Sequence, residues 1–223
     1  MNKRLPDYKK VFTREIFSEY KKEFSPNYIL MIITAVLYVA ILYRYGISNT
    51  FIENLDLIKY LILTPMLLSV VVIDYKLQII PNRLNLTMFE IGIVIAFLYG
   101  FSNVAITIDL LLGVLAGGGI FLLIAVVGSM IYGKEAMGLG DVKFMAALGL
   151  YFGLTNIILI SIMSFLLGAV VAIILMIFKI KKSNENIPFG PFIVISTLIC
   201  MFVPAELIIS TIRTIFTLGI YKW

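Results

Sequence analysis

The chain has 223 residues, of which 61% are hydrophobic and 14% charged, with a formal net charge of +5 and a mean hydropathy of +1.04. Soluble domains carry roughly 25% charged residues, so this composition predicts an integral membrane protein. The lack of histidine and the single cysteine, Cys200, exclude Ser-His and Cys-His nucleophiles, an internal disulfide, and metal sites built on histidine or cysteine.

Residues 1–27 hold seven basic and four acidic side chains. Phe12, Ile16, Tyr20 and Phe24 recur at helical spacing, so this segment reads either as an amphipathic helix on the membrane surface or as a solvated basic tail that fixes orientation. It is too long, and the run after it too poor in small residues at a cleavage point, to be a secretory signal. Residues 28–223 read as one polytopic membrane domain. Apolar runs occupy Tyr28 to Tyr45, Leu57 to Ile73, Leu84 to Phe101, Ile106 to Tyr132, Val142 to Gly153, Ile157 to Ile180, Pro188 to Val203 and Leu207 to Ile220. Continuous runs separated by short polar breaks mark helices, because barrel strands alternate apolar with polar residues. The expected fold is therefore all-α, a membrane bundle of about seven to eight transmembrane helices. Its weak points are the fifth run, only 12 residues long, and the last two, which Pro204 separates.

If the N-terminus is cytoplasmic and every run crosses, 15 of the 18 Lys and Arg residues face the cytoplasm, leaving Arg44, Lys59 and Arg213 near the other side. The positive charge is thus explained by topology in the lipid bilayer, and no nucleic-acid partner is expected. The same threading puts Asp74 at the cytoplasmic end of the second run and Asp141 at the cytoplasmic start of the fifth.

Asp74 ends the run Val70-Val71-Val72-Ile73 and precedes a loop broken by Pro81; alone it reads equally as a helix-end carboxylate reaching the headgroups. Asp141 follows Gly138-Leu139-Gly140, where glycines permit close backbone approach, and it stands at a helix N-terminus that stabilises a carboxylate. Alone it reads as a cap. As a pair on one side of the bilayer they point to chemistry. In a chain without histidine, two carboxylates are the groups best suited to activating water. Brought close they cannot both ionise easily, so they share a proton, and one takes a proton from water while the other hydrogen-bonds the scissile carbonyl of a peptide. No metal and no cofactor is expected.

Other polar groups carry smaller roles. Glu90, two turns into the third run, either supports the site or pairs with a neighbouring helix. Glu135, beside Lys134, either orients substrate or is solvated. Asp109 reads as a cap at the far side. Gly113, Gly117, Gly118 and Gly119 read as a surface for close helix packing. Ile187-Pro188-Phe189-Gly190-Pro191-Phe192 reads either as the lining of a cavity at the cytoplasmic mouth, with Pro188, Phe189 and Gly190 near substrate, or as a helix start with proline in its first turn.

Three separated blocks carry a resemblance: Asp74 ahead of Ile80-Pro81-Asn82; Lys134 to Lys143, containing Gly138-Leu139-Gly140-Asp141, followed by Ala146-Ala147-Leu148-Gly149; and Ile187 to Phe192. Over roughly residues 57 to 200 the chain resembles the bacterial type IV prepilin peptidases, polytopic aspartyl proteases of the Gly-x-Gly-Asp type. The resemblance implies that Asp74 and Asp141 are the catalytic pair, with Gly138, Gly140, Glu135, Lys143, Pro81 and Asn82 supporting them within the motifs. It implies an enzyme of the cytoplasmic membrane whose active site faces the cytoplasm. Its substrates would be prepilins or pseudopilins of pilus, secretion or DNA-uptake machines, cut after a short basic leader, typically behind glycine, ahead of a hydrophobic helix. Longer members carry a cytoplasmic domain with paired Cys-x-x-Cys motifs and often N-methylate the new terminus. Here that region is reduced to residues 1–27 without cysteine, so methyltransferase activity is not expected. Two alternatives compete. Presenilin-like and signal-peptide-peptidase-like intramembrane proteases share Gly-x-Gly-Asp but place Tyr before the first aspartate, whereas here Tyr75 follows Asp74. A proton-coupled transporter also uses paired carboxylates, but would have them lined up across the bilayer.

Overall fold

A computed structural model describes residues 28–133, 137–178 and 187–216, and among these there are helices and no strands. The protein is all-α, as its apolar runs require. Helix α1 (Tyr28–Tyr45) lies at the edge of the bundle and buries only Ile41. Helix α2 (Phe51–Leu77) starts six residues before the expected run and continues past Asp74. It ends at Gln78, whose left-handed φ of 54° lets its N–H reach back to the Asp74 carbonyl. Pro81 then caps α3 (Asn82–Ser102), accepting backbone N–H groups from Leu84 and Asn85. Asn103 caps α4 (Val104–Tyr132) by accepting from the Ala105 N–H at 2.9 Å.

The next helical stretch, α5 (Leu139–Ile177), is 39 residues long and is broken at Gly153, which has φ 72° and ψ −178°. The break reverses the chain. A Cβ placed on Gly117 of α4 would meet the Met145 carbonyl at 2.6 Å and the Ile157 side chain at 2.9 Å. Residues 12 apart in a straight helix stand about 18 Å apart, so both can touch one glycine only if the arms 139–152 and 154–177 fold back on each other. The first arm, about 21 Å long by its 14 residues, is shorter than the roughly 30 Å hydrocarbon core. It is surrounded by protein: Phe144, Met145, Ala147, Leu148 and Leu150 are fully buried. Glycine makes this possible. Gly113 packs on the backbone of Gly149 and Gly153, and Gly118 on Ala146, so α4 and α5 meet almost backbone to backbone. Gly119 faces open space and takes no part in this contact.

Helices α6 (Gly190–Phe202) and α7 (Ala205–Phe216) are the largest departure from the expected spans. They have 13 and 12 residues and bend by 109° at Val203–Pro204, so together they form one bent element where two crossing helices were expected. At about 1.5 Å per residue the 13 residues of α6 reach only about 20 Å, yet they run from Gly190 beside Asp74 to Met201 beside Tyr45. By length and composition, five helices can cross a membrane, six with the bent pair. The expected seven to eight counted the two arms of α5 and the two halves of the bent pair separately.

The two ends of the bundle differ in chemistry. At one end lie the starts of α3, α5 and α6 and the end of α2. At the other, Lys59 is buried against Asp56 at 2.6 Å, Tyr99 donates to the same carboxylate at 2.6 Å, and the Lys59 ammonium stands over the rings of Tyr60 and Tyr99. The Tyr45 hydroxyl donates to the Met201 carbonyl there, tying α1 to α6. The possible N-terminal surface helix and Glu135 fall outside the described residues.

Candidate active site

Asp74 sits in the last turn of α2 with only 4% of its surface exposed. Its Oδ2 accepts the backbone N–H of Gly190 at 2.7 Å, so the first amide of α6 points straight at the carboxylate. The contact depends on glycine: a Cβ on Gly190 would lie 2.7 Å from Oδ2 and 3.1 Å from Cγ of Asp74. Gly190 therefore holds a carboxylate, a different role from contact with substrate. Pro188 and Phe189 do not line the hollow at the aspartates. Phe189 instead stacks among Phe121, Phe165 and Phe192.

Asp141 is the third residue of α5, with Gly138 as the cap. Its N–H returns to the Gly138 carbonyl at 3.1 Å. Asp141 is half-buried and its carboxylate accepts no hydrogen bond from a described residue. It lies close enough to Asp74 for their charges to interact. Both carboxylates face a hollow of about 480 Å³ whose walls include Gln78, Ile80, Pro81, Asn82, Gly138 and Gly140. The pair expected from sequence is thus brought together from α2 and α5, 67 positions apart.

Supporting residues of the motifs meet across the same hollow. Gly140 is pressed against Ile80, where a Cβ would come within 3.3 Å of its backbone oxygen. Lys143 donates to Asn82 Oδ1 at 2.8 Å, tying α5 to α3 at an exposed edge. Asn85, absent from the expected set, is 3% exposed and donates to the Gly140 carbonyl at 3.0 Å, one residue before Asp141. Its position three residues after Asn82 at the start of an apolar helix was the signal that could have found it. Glu90 is exposed on α3, lies outside this hollow and bonds to no described residue. Asp109 caps a different helix from the expected one: its Oδ1 accepts the Leu154 N–H at 3.3 Å, where the second arm of α5 begins. Among the described residues no cluster of three or more acidic or thiol side chains is placed to hold a metal ion.

Comparison with known proteins places these helices in one family. The model of the type IV leader peptidase family matches residues 61–173. Similar curated proteins include prepilin leader peptidase/N-methyltransferases of Legionella pneumophila, 34% identical over 61% of this chain and 46% of that protein, and of Aeromonas hydrophila, 29% identical over 74% and 54%. That of Xanthomonas campestris is 30% identical over 86% of this chain and 64% of its own length. The chain spans about half the length of most of these relatives. No solved structure matches it. Because the family match takes in most of α2, all of α3 and α4 and nearly all of α5, the elements that supply Asp74 and Asp141, this chain belongs to the type IV leader peptidase family.

Proposed function

We propose that the chain is a membrane-embedded aspartyl endopeptidase that removes short basic leaders from prepilins or pseudopilins at the cytoplasmic face of the cell membrane. The observation that carries this reading is the pair Asp74 and Asp141, delivered by separate helices to one hollow, with Asp74 oriented by the Gly190 amide. The pair holds one proton, which belongs to the dyad rather than to either residue. Its ionised oxygen takes a proton from water, whose oxygen adds to the scissile carbonyl. The protonated partner donates to the developing oxyanion. Collapse of the tetrahedral intermediate breaks the C–N bond, and the amine leaves with a proton returned from the dyad.

Leader cleavage without methylation is the activity proposed for these 223 residues. Their only cysteine, Cys200, is buried in α6, so they hold no paired cysteines of the kind the methylating members carry. A single experiment reads both parts of the proposal. Purified protein is incubated with a prepilin-type peptide and S-adenosylmethionine, and the products are weighed by mass spectrometry. The wild type is expected to give a product with a free N-terminal amine. Asp74→Asn and Asp141→Asn should each lower the rate by roughly 10²-fold or more while remaining folded in the membrane. Near-normal turnover by either variant excludes the dyad, and a methyl-sized mass increase on the amine excludes the second part.

A further inference from the structure

A second hollow, of about 370 Å³, lies between α3 and the first arm of α5 and shares two residues, Asn82 and Lys143, with the hollow at the aspartates. Beyond that shared mouth its walls turn apolar, with Leu86 and Phe89 from α3 and Ala146 from α5. Leu86 is 57% exposed, so the groove opens sideways on the surface that faces lipid. It closes further along, where Gly92 lets the Leu150 side chain come against α3 and the Tyr151 hydroxyl donates to the Met88 carbonyl at 2.8 Å. Both helices start at the site and run away from it in the same direction. The groove is therefore a short apolar channel along the bilayer normal, beginning at the carboxylates.

A polar observation marks it as a place for a ligand. Asn85 lines the groove, and with its amide nitrogen committed to Gly140 its Oδ1 is buried without a partner. A buried acceptor left unpaired is costly.

We propose that this groove receives the first turns of the substrate's hydrophobic helix, so that the chain leaving the aspartate hollow crosses over the Lys143–Asn82 hydrogen bond that bridges the mouth and enters the bilayer along α3. This rests on the reading of the aspartate pair as a leader peptidase. Such a substrate has a polar leader on one side of the scissile bond and an apolar helix on the other. The groove offers the matching sequence: polar at the mouth, apolar beyond it. Its volume suits a few side chains of a helix, with the rest of that helix left in lipid.

The test uses the full chain in nanodiscs and two synthetic peptides sharing a basic leader and scissile glycine, one continuing into a hydrophobic helix and one ending a few residues after the scissile bond. Leu86→Trp narrows the groove. It should raise KM for the long peptide roughly tenfold or more relative to the short one, with kcat for the long peptide little changed. An equal effect on both peptides overturns the proposal. A photo-crosslinking amino acid at position 86 supplies a measurement that does not depend on turnover. It should capture the hydrophobic part of the long peptide, whereas the same probe at Leu115, exposed on α4, should not. Capture of lipid alone, or of a second copy of the chain, at position 86 also overturns the proposal. If the wild type cuts neither peptide, the proteolytic reading fails instead, and the crosslink still decides whether the groove holds the helix.

Discussion

Asp74 and Asp141 are held in different ways. Asp74 is nearly buried and oriented by an amide from α6, whereas Asp141 stands in a glycine turn that Asn85 and Ile80 brace from α3 and the loop before it. The Gly190 contact links positions 116 apart and is made by a backbone N–H, so no side-chain identity announces it. It also lies outside the span matched by the family model. In the proposed mechanism, the amide orients a carboxylate that must change protonation during the cycle. Gly190→Ala puts a methyl group where the Asp74 oxygen stands, and one of the two must move. Loss of a hydrogen bond to a charged group costs about 1.5–3 kcal/mol, so kcat is expected to fall roughly ten- to hundredfold. Pro191→Ala, on the neighbouring residue with no steric demand on Asp74, serves as a control measured in the same peptide assay. A Gly190→Ala enzyme within about twofold of wild type would separate Gly190 from the catalytic machinery.

The reversal at Gly153 brings the first arm of α5, and with it Asp141, against α4 and α3. Its φ and ψ lie in a region open only to glycine, and an added Cβ would run into the Asp109 carboxylate that caps the second arm. Gly153→Ala is expected to cost about 1–3 kcal/mol, seen as a lower unfolding midpoint in detergent. Gly119→Ala, on the open face of α4, should be neutral or gain up to about 1 kcal/mol from helix propensity. Equal midpoints for the two variants would show that Gly153 is not a constrained hinge. The break itself was legible, because Leu154-Thr155-Asn156 divides the apolar run Val142 to Gly153 from the run Ile157 to Ile180. The break at Pro204 was legible too, but its consequence was not. Expecting two straight crossings there ignored the bend: α6 runs between the ends of the bundle, and the chain then turns through 109° into α7. The glycines of α4 were read correctly as a packing surface except for Gly119, since spacing reports which residues share a face but not where a neighbouring helix ends.

Across the whole molecule, polar groups segregate to the two ends. Asp74, Asn82, Lys143 and Asp141 collect at one, with Lys76 and Arg83 in the adjoining segments, while Asp56, Lys59, Tyr99 and Asp109 lie at the other and bond within the bundle. This separation was legible in the placement of lysine and arginine, because insertion reads their count on each side of short loops. A site at one end, with the acids of the other end engaged in packing, supports the proposed cutting of a chain at a membrane surface, since among the described residues no row of acids joins the two ends. On the positive-inside rule we propose that the aspartate end is cytoplasmic. Single cysteines on a Cys200→Ala background, at Lys76 and Arg83 for one end and at Ser48 and Asn103 for the other, test this in vesicles of known orientation. The thiols at 76 and 83 should react only with reagent on the cytoplasmic side, and those at 48 and 103 only with reagent on the opposite side. Labelling of positions 76 and 103 from the same side would break the threading of α3. Labelling of all four with the sides exchanged would keep the fold but move the proposed cleavage to the outer face, where a cytoplasmic leader could not be its substrate.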